Sequence, residues 1–177
     1  MKKTTITSFL IYSTFLALCS CHSKETQNGK VYFNNFESVK GWDPAMNLCT
    51  YPVHSGGFSI RMDSIHTFGP TLRLKFEDIS PTPVRKVKYS IWCYLKSHNS
   101  AGSMVVSVDG GGKQNILYDA KAFKEAATEP GKWVELKGEC LLNKSGINSP
   151  GNGITIYPWN TSKEEIIVDD MRVEFIQ

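Results

Sequence analysis

The sequence has no C-x-x-C pair, no H-x-H or H-E-x-x-H spacing and no G-x-S-x-G turn, and each absence removes a class of chemistry. A zinc site lacks ligands at the required intervals, and an elbow-borne serine nucleophile lacks its turn. No long block of one charge sign occurs. Two of the 20 lysines and arginines, Lys2 and Lys3, stand at the extreme N-terminus, and the rest nearly balance the 17 acids. That balance excludes the basic footprint of a nucleic-acid partner. The longest apolar stretch, Ile6 to Leu18, is too short and too interrupted by Ser and Thr to span a bilayer. Gly110-Gly111-Gly112-Lys113 lacks the Ser or Thr that a phosphate loop needs next, since Gln114 stands there.

What is there begins with a targeting segment. Lys2 and Lys3 form a positive start, Ile6 to Leu18 an apolar middle, and Leu18-Cys19-Ser20-Cys21 resembles a lipobox. Residues 1–20 are read as a lipoprotein signal, and Cys21 as the lipidated residue. Cys19 is disfavoured because bulky Leu18 precedes it. Residues 21–29 read as a polar tether and 30–177 as one domain, exported and lipid-anchored in a bacterial cell envelope. The anchor is the only membrane contact this implies. Cys49, Cys93 and Cys140 are odd in number and widely spaced; Cys93 and Cys140 fall in phase with apolar strand residues, so these two are read as buried thiols or as one disulfide across the core.

Past Gly29, short runs alternate apolar and polar residues between clusters of Gly, Pro, Asn and Ser. Val87, Tyr89, Ile91, Cys93 and Leu95 share one face of a strand, and Lys88, Ser90, Trp92, Tyr94 and Lys96 the other. The same period runs through Phe58 to Met62, Leu72 to Phe76, Met104 to Asp109 and Val134 to Lys137. Gly153 to Trp159 and Ile166 to Phe175 are further strands. Ile167, Asp169, Met171, Val173 and Phe175 fall in one phase. Sheets apolar on one face bury that face against one another, which predicts an all-β, two-sheet antiparallel β-sandwich. Two local expectations complete the reading. Asp109 to Gly112 closes a hairpin, and Asp119 to Thr128, rich in alanine and headed by Asp119, forms one short helix.

In order, five motifs resemble the jelly-roll carbohydrate-binding modules of the galactose-binding-like superfamily. They are FNNFESVKGW (Phe33 to Trp42), HSGGFSIRM (His54 to Met62), YSIWCYLK (Tyr89 to Lys96), GKWVELKGE (Gly131 to Glu139) and IIVDDMRVEF (Ile166 to Phe175). The resemblance spans the domain and implies a jelly roll with its first and last strands adjacent. It also implies a structural calcium held by Glu37 and Asp169; the same two acids equally suit hydrogen bonds to loop backbone or pairing with Arg or Lys. It implies a carbohydrate ligand without catalysis.

A flat ring packs on the C–H face of a pyranose, so outward aromatics are the candidate platform. Trp92 and Tyr94 face away from the apolar phase of their strand, as do Tyr157 and Trp159. If the two strands share a sheet, the four rings line one surface, with Arg61 a hydrogen-bonding neighbour. The competing expectation packs Trp92 beneath a loop. Trp42 and Trp133 are read as structural, and His54, His66 and His98 as surface residues. A protein-interaction sandwich with an envelope partner is the alternative to sugar binding.

Overall fold

The computed structural model describes residues 29–38, 42, 47–110 and 113–177. Among these described residues ten strands follow one another: β1 (Lys30–Asn34), β2 (Leu48–Cys49), β3 (Ser59–Met62), β4 (Leu72–Lys75), β5 (Lys86–Leu95), β6 (Gly102–Gly110), β7 (Lys113–Ala122), β8 (Trp133–Leu141), β9 (Gly153–Asn160) and β10 (Ile166–Ile176). One helical turn, Phe76–Ile79, follows β4. The signal segment and Cys21 lie outside the described residues.

Six strands form one antiparallel sheet in the order β2-β3-β10-β5-β8, with β1 also pairing to β10. The other sheet has the order β4-β9-β6-β7. Their facing sides make one core, in which Val87, Ile91, Cys93, Met104, Val106, Val108, Ile154, Ile156, Val168 and Val173 are fully buried. Each buried aliphatic chain there contributes roughly 1.5–3 kcal/mol. The two-sheet jelly roll inferred from alternation is the observed fold, and β5 is buried at every second residue as its sequence dictates. First and last strands are neighbours, Tyr32 lying opposite Val173.

Three local expectations are corrected. Phe58 stays 41% exposed instead of joining Ile60 and Met62 in the core. No helix forms at 119–128: β7 runs on through Ala122, paired to Ser103 of β6, and only a 3₁₀ turn follows at Phe123–Glu125. Pairing along β6 and full burial of Phe123 override the helix propensity of the alanines. The third correction concerns β10. Its pairing with β5 shifts between Asp169 and Arg172, with Asp170 at φ 47°. One extra residue there reverses the phase. Ile166 and Val168, then Met171, Val173 and Phe175, enter the core, whereas Ile167 and Asp169 point to the opposite face.

Candidate functional site

The outward sides of the two sheets are the surfaces the sandwich offers, and the four rings are divided between them. Trp92 and Tyr94 lie on the six-stranded sheet, Tyr157 and Trp159 on the four-stranded one. They do not form one platform, because β5 and β9 belong to different layers.

On the four-stranded sheet, cross-strand pairing sets side chains in rows. Arg73 of β4 faces Thr155, Thr155 faces Ser107, and Ser107 faces Tyr118. In the next row Tyr157 lies beside Val105, which is fully buried although it points outward. At the end of β9, Trp159 forms an isolated bridge with Phe68, and the two rings stack with centroids 6.1 Å apart and planes 13° from parallel. Tyr157 meets Phe68 edge-on at 5.7 Å. Phe68, Thr71, Arg73, Ser107, Asp109, Thr155 and Tyr157 line an open groove of about 440 Å³. Burial raises the Tyr157 hydroxyl above its ordinary range, and the nearby Tyr118 and Asp109 push the same way. Tyr157 therefore stays a neutral donor and acceptor at neutral pH. The groove combines ring surface with hydroxyls, one carboxylate and one guanidinium.

The other two rings are in different surroundings. His54, from the loop between β2 and β3, stacks on Trp92 at 3.7 Å with planes 17° apart, and meets Trp133 at 5.7 Å. His54 Nδ1 lies 2.7 Å from Asp170 Oδ2. Trp92 is thus covered by a loop, the alternative weighed for it above, and His54 is a packing residue instead of a free surface histidine. Tyr94 and Trp133 sit opposite each other on β5 and β8, rings 5.6 Å apart. Arg61 shares their row through Ile167, and its buried Nε has no hydrogen-bond partner.

Glu37 and Asp169 hold that same loop from its two ends. Asp169 Oδ2 accepts the amide protons of His54 (3.0 Å) and Ser55 (3.2 Å), and Oδ1 that of Asp170 (2.8 Å). Glu37 Oε1 accepts from Gly57 (2.8 Å) and Phe58 (2.9 Å). Burial pushes the Asp169 carboxyl above the usual carboxylate range, while the three amide bonds pull it down. Calcium needs several oxygen ligands. Here the partners at these atoms are N–H groups, whose positive ends already face the carboxylates, so the contacts do not fit the pair as ligands of one ion. Among the described residues no cluster of three or more His, Cys, Asp or Glu side chains is placed to hold a metal.

Strand phase puts Thr155 and Asp109 on outward faces without marking them as ligand contacts, and it does not mark Phe68 or Tyr118 for the site at all. Phe68 belongs to no strand and pairs with Trp159 only through the isolated bridge, so no period marks it. Tyr118 falls in the hairpin partner of β6 and gains meaning only once β7 is known to flank β6.

The two sheets form a jelly-roll sandwich. Solved structures of carbohydrate-binding modules share this fold, several of them along nearly their whole length. They include the CBM22-1 xylan-binding domain of Paenibacillus barcinonensis Xyn10C (17% identity, TM-score 0.56, covering 84% of this chain and 96% of that one). The C-terminal family 22 carbohydrate-binding module of Clostridium thermocellum Xyn10B is similar at 17% identity and TM-score 0.58, over 82% and 92% of the two chains. The CBM22-2 xylan-binding domain of the Paenibacillus protein matches at 12% identity and TM-score 0.57, over 82% and 99%. No protein-family model and no curated protein matches the chain.

Proposed function

We propose that this chain is a non-catalytic carbohydrate-binding module that takes an oligo- or polysaccharide in the groove of the four-stranded sheet. The observation that carries the reading is the grouping of Phe68 and Tyr157 beside Arg73, Ser107, Thr155 and Asp109, with Trp159 stacked on Phe68 at the edge of the groove. Rings stack on the apolar face of a pyranose, and the polar groups reach its equatorial hydroxyls. Glycoside hydrolysis needs two carboxylates across the bond. The described lining of the groove supplies one, Asp109. The likeness to carbohydrate-binding modules supports the same class, and xylan, named for two of those structures, is the first ligand to try.

Affinity electrophoresis through gels containing xylan, glucan, mannan or pectin tests the reading. Retardation is expected in at least one gel. Trp159→Ala or Tyr157→Ala should weaken it about tenfold, the effect of losing one to two stacking contacts. Unchanged retardation in both variants, or none in any gel, sinks the proposal.

We also propose that the module is tethered to the cell envelope through a lipid on Cys21. Expressed from the full chain in a bacterial host, the protein should partition with membranes, and Cys21→Ala should release it to the soluble fraction. A wild-type chain that is already soluble refutes the anchor.

A further inference from the structure

The six-stranded sheet carries a second hollow, on the side of the molecule opposite the groove. It measures about 530 Å³ and lies between the 50–57 loop and the row of rings on β5 and β8, with Tyr51, Val53, Gly57, Tyr94, Gly131 and Trp133 along its walls. Tyr94 and Trp133 meet at 57°, so two planes form a corner. Tyr51 stands across from them 82% exposed, far more than a ring of that size keeps when it serves packing.

The wall bearing Tyr51 is fixed. Asp169 binds the backbone of His54 and Ser55, Asp170 binds both their side chains (2.7 and 2.8 Å), Glu37 binds Gly57 and Phe58, and His54 stacks on Trp92. A loop anchored at both ends that still presents its largest apolar ring to water is preorganised for a ligand, which saves the ordering cost of binding. Two glycines shape the walls. Gly131 sits at φ 78° with its α-carbon's open side toward the Tyr94 hydroxyl, and Gly56 at φ 63° lets the loop pack directly against the Glu37 carboxylate, where a side chain would clash. Rings on three sides, with the phenol oxygens of Tyr51 and Tyr94, the Thr50 hydroxyl and peptide groups at the rim, match a molecule apolar on its faces and hydroxylated at its edges. The volume suits a small molecule. It is small for a protein partner, which needs a broad contact of roughly 800 Å² per side.

We infer that Tyr51, Tyr94 and Trp133 form a second saccharide-binding site, independent of the groove, so that one module engages two glycan segments on opposite faces. Two sites on one rigid sandwich raise avidity for a polymer bearing many copies of the ligand without any new contact.

The test is a ¹H–¹⁵N titration of the mature chain with xylo-, cello-, manno- and galacturono-hexaose. Two reporter sets separate the sites: the amides of Gly57, Gly131 and Tyr94 for the second hollow, and those of Ser107, Thr155 and Tyr157 for the groove. The inference expects the first set to shift and saturate with at least one sugar in wild type and equally in Trp159→Ala. Tyr51→Ala should weaken that saturation about tenfold, leaving the response of the groove set as in wild type. Because Tyr51 is so exposed, this variant keeps its fold, and an unchanged spectrum elsewhere verifies that. Shifts confined to the groove set overturn the second site and leave the groove standing. Shifts in the first set that Tyr51→Ala does not weaken, or no shift there with any sugar, also overturn it.

Discussion

At the scale of single residues, the most instructive side chain is Trp92. By phase it faces outward with Tyr94, and outward rings suggest a ligand. In the folded chain its face is taken by the imidazole of His54, which is itself held by Asp170. With that face filled by an imidazole that Asp170 pins in place, and with Trp133 packed against the same imidazole, the Trp92 ring serves to anchor the loop. Trp92→Ala should therefore lower stability by about 2 kcal/mol, less than the 3–5 kcal/mol of a fully buried tryptophan because Trp92 is only partly enclosed. Glycan retardation through the groove should be unchanged. Urea denaturation followed by the gel assay checks both. A variant that keeps its midpoint but loses retardation would return Trp92 to a binding role. Sequence makes the phase of such a residue legible and leaves its covering invisible, since His54 comes from thirty-eight positions earlier in the chain.

At the scale of elements, strand identity was legible and strand phase was legible only up to irregularities. Alternation located β5, β9 and the ends of β10, because burying one face demands a period of two. The extra residue at Asp170 then moved Asp169 out of line with Met171, which no period could reveal, because a bulge is set by the partner strand. This changes what Asp169 does. Placed on the outer face beneath the 54–58 segment, it caps amides together with Glu37 instead of sitting among core residues without a counter-charge. Amide capping needs no metal. We expect the thermal midpoint to be the same with excess chelator and with millimolar calcium, and Glu37→Gln, which retains one acceptor oxygen, to cost about 1 kcal/mol or less by releasing charge-assisted bonds at an exposed site. A midpoint that falls on metal removal and recovers with calcium would restore the ion expected from the family resemblance.

At the scale of the whole molecule, the sandwich could be read from the chain, but the division of its surface could not. Each strand announces which residues point out, while the assignment of β5 and β9 to different sheets depends on long-range pairing. The four rings therefore parted into two faces, each gaining partners the sequence did not suggest: Phe68 on one side, Tyr51 and Trp133 on the other. The layered core also governs the cysteines. Cys49, Cys93 and Cys140 are free and buried, so of the two states the sequence left open, the thiol form is the one present. Burial pushes the Cys93 thiol from its ordinary 9.0 up to about 12. Cys140 rises to about 12 as well, through burial first and then the carboxylate of Asp119. The folded chain therefore holds these protons to higher pH than the unfolded chain does. Where the native state binds more protons, stability falls as pH rises. The thiols' contribution is intact below about pH 9 and is lost progressively as pH climbs toward 12. Buried Tyr89, whose hydroxyl is raised by burial and then by Asp119, adds a loss of the same sign at still higher pH. Urea midpoints should accordingly drop between about pH 8 and about pH 10.5, and the drop should shrink in the Cys93→Ala, Cys140→Ala double variant. In parallel, iodoacetamide at about pH 8 should leave both thiols unmodified in the native protein and alkylate them in urea, because only the exposed thiolate reacts. Rapid native alkylation at either position, or an undiminished pH slope in the double variant, would show that the core does not shield these groups as the packing of the two sheets requires.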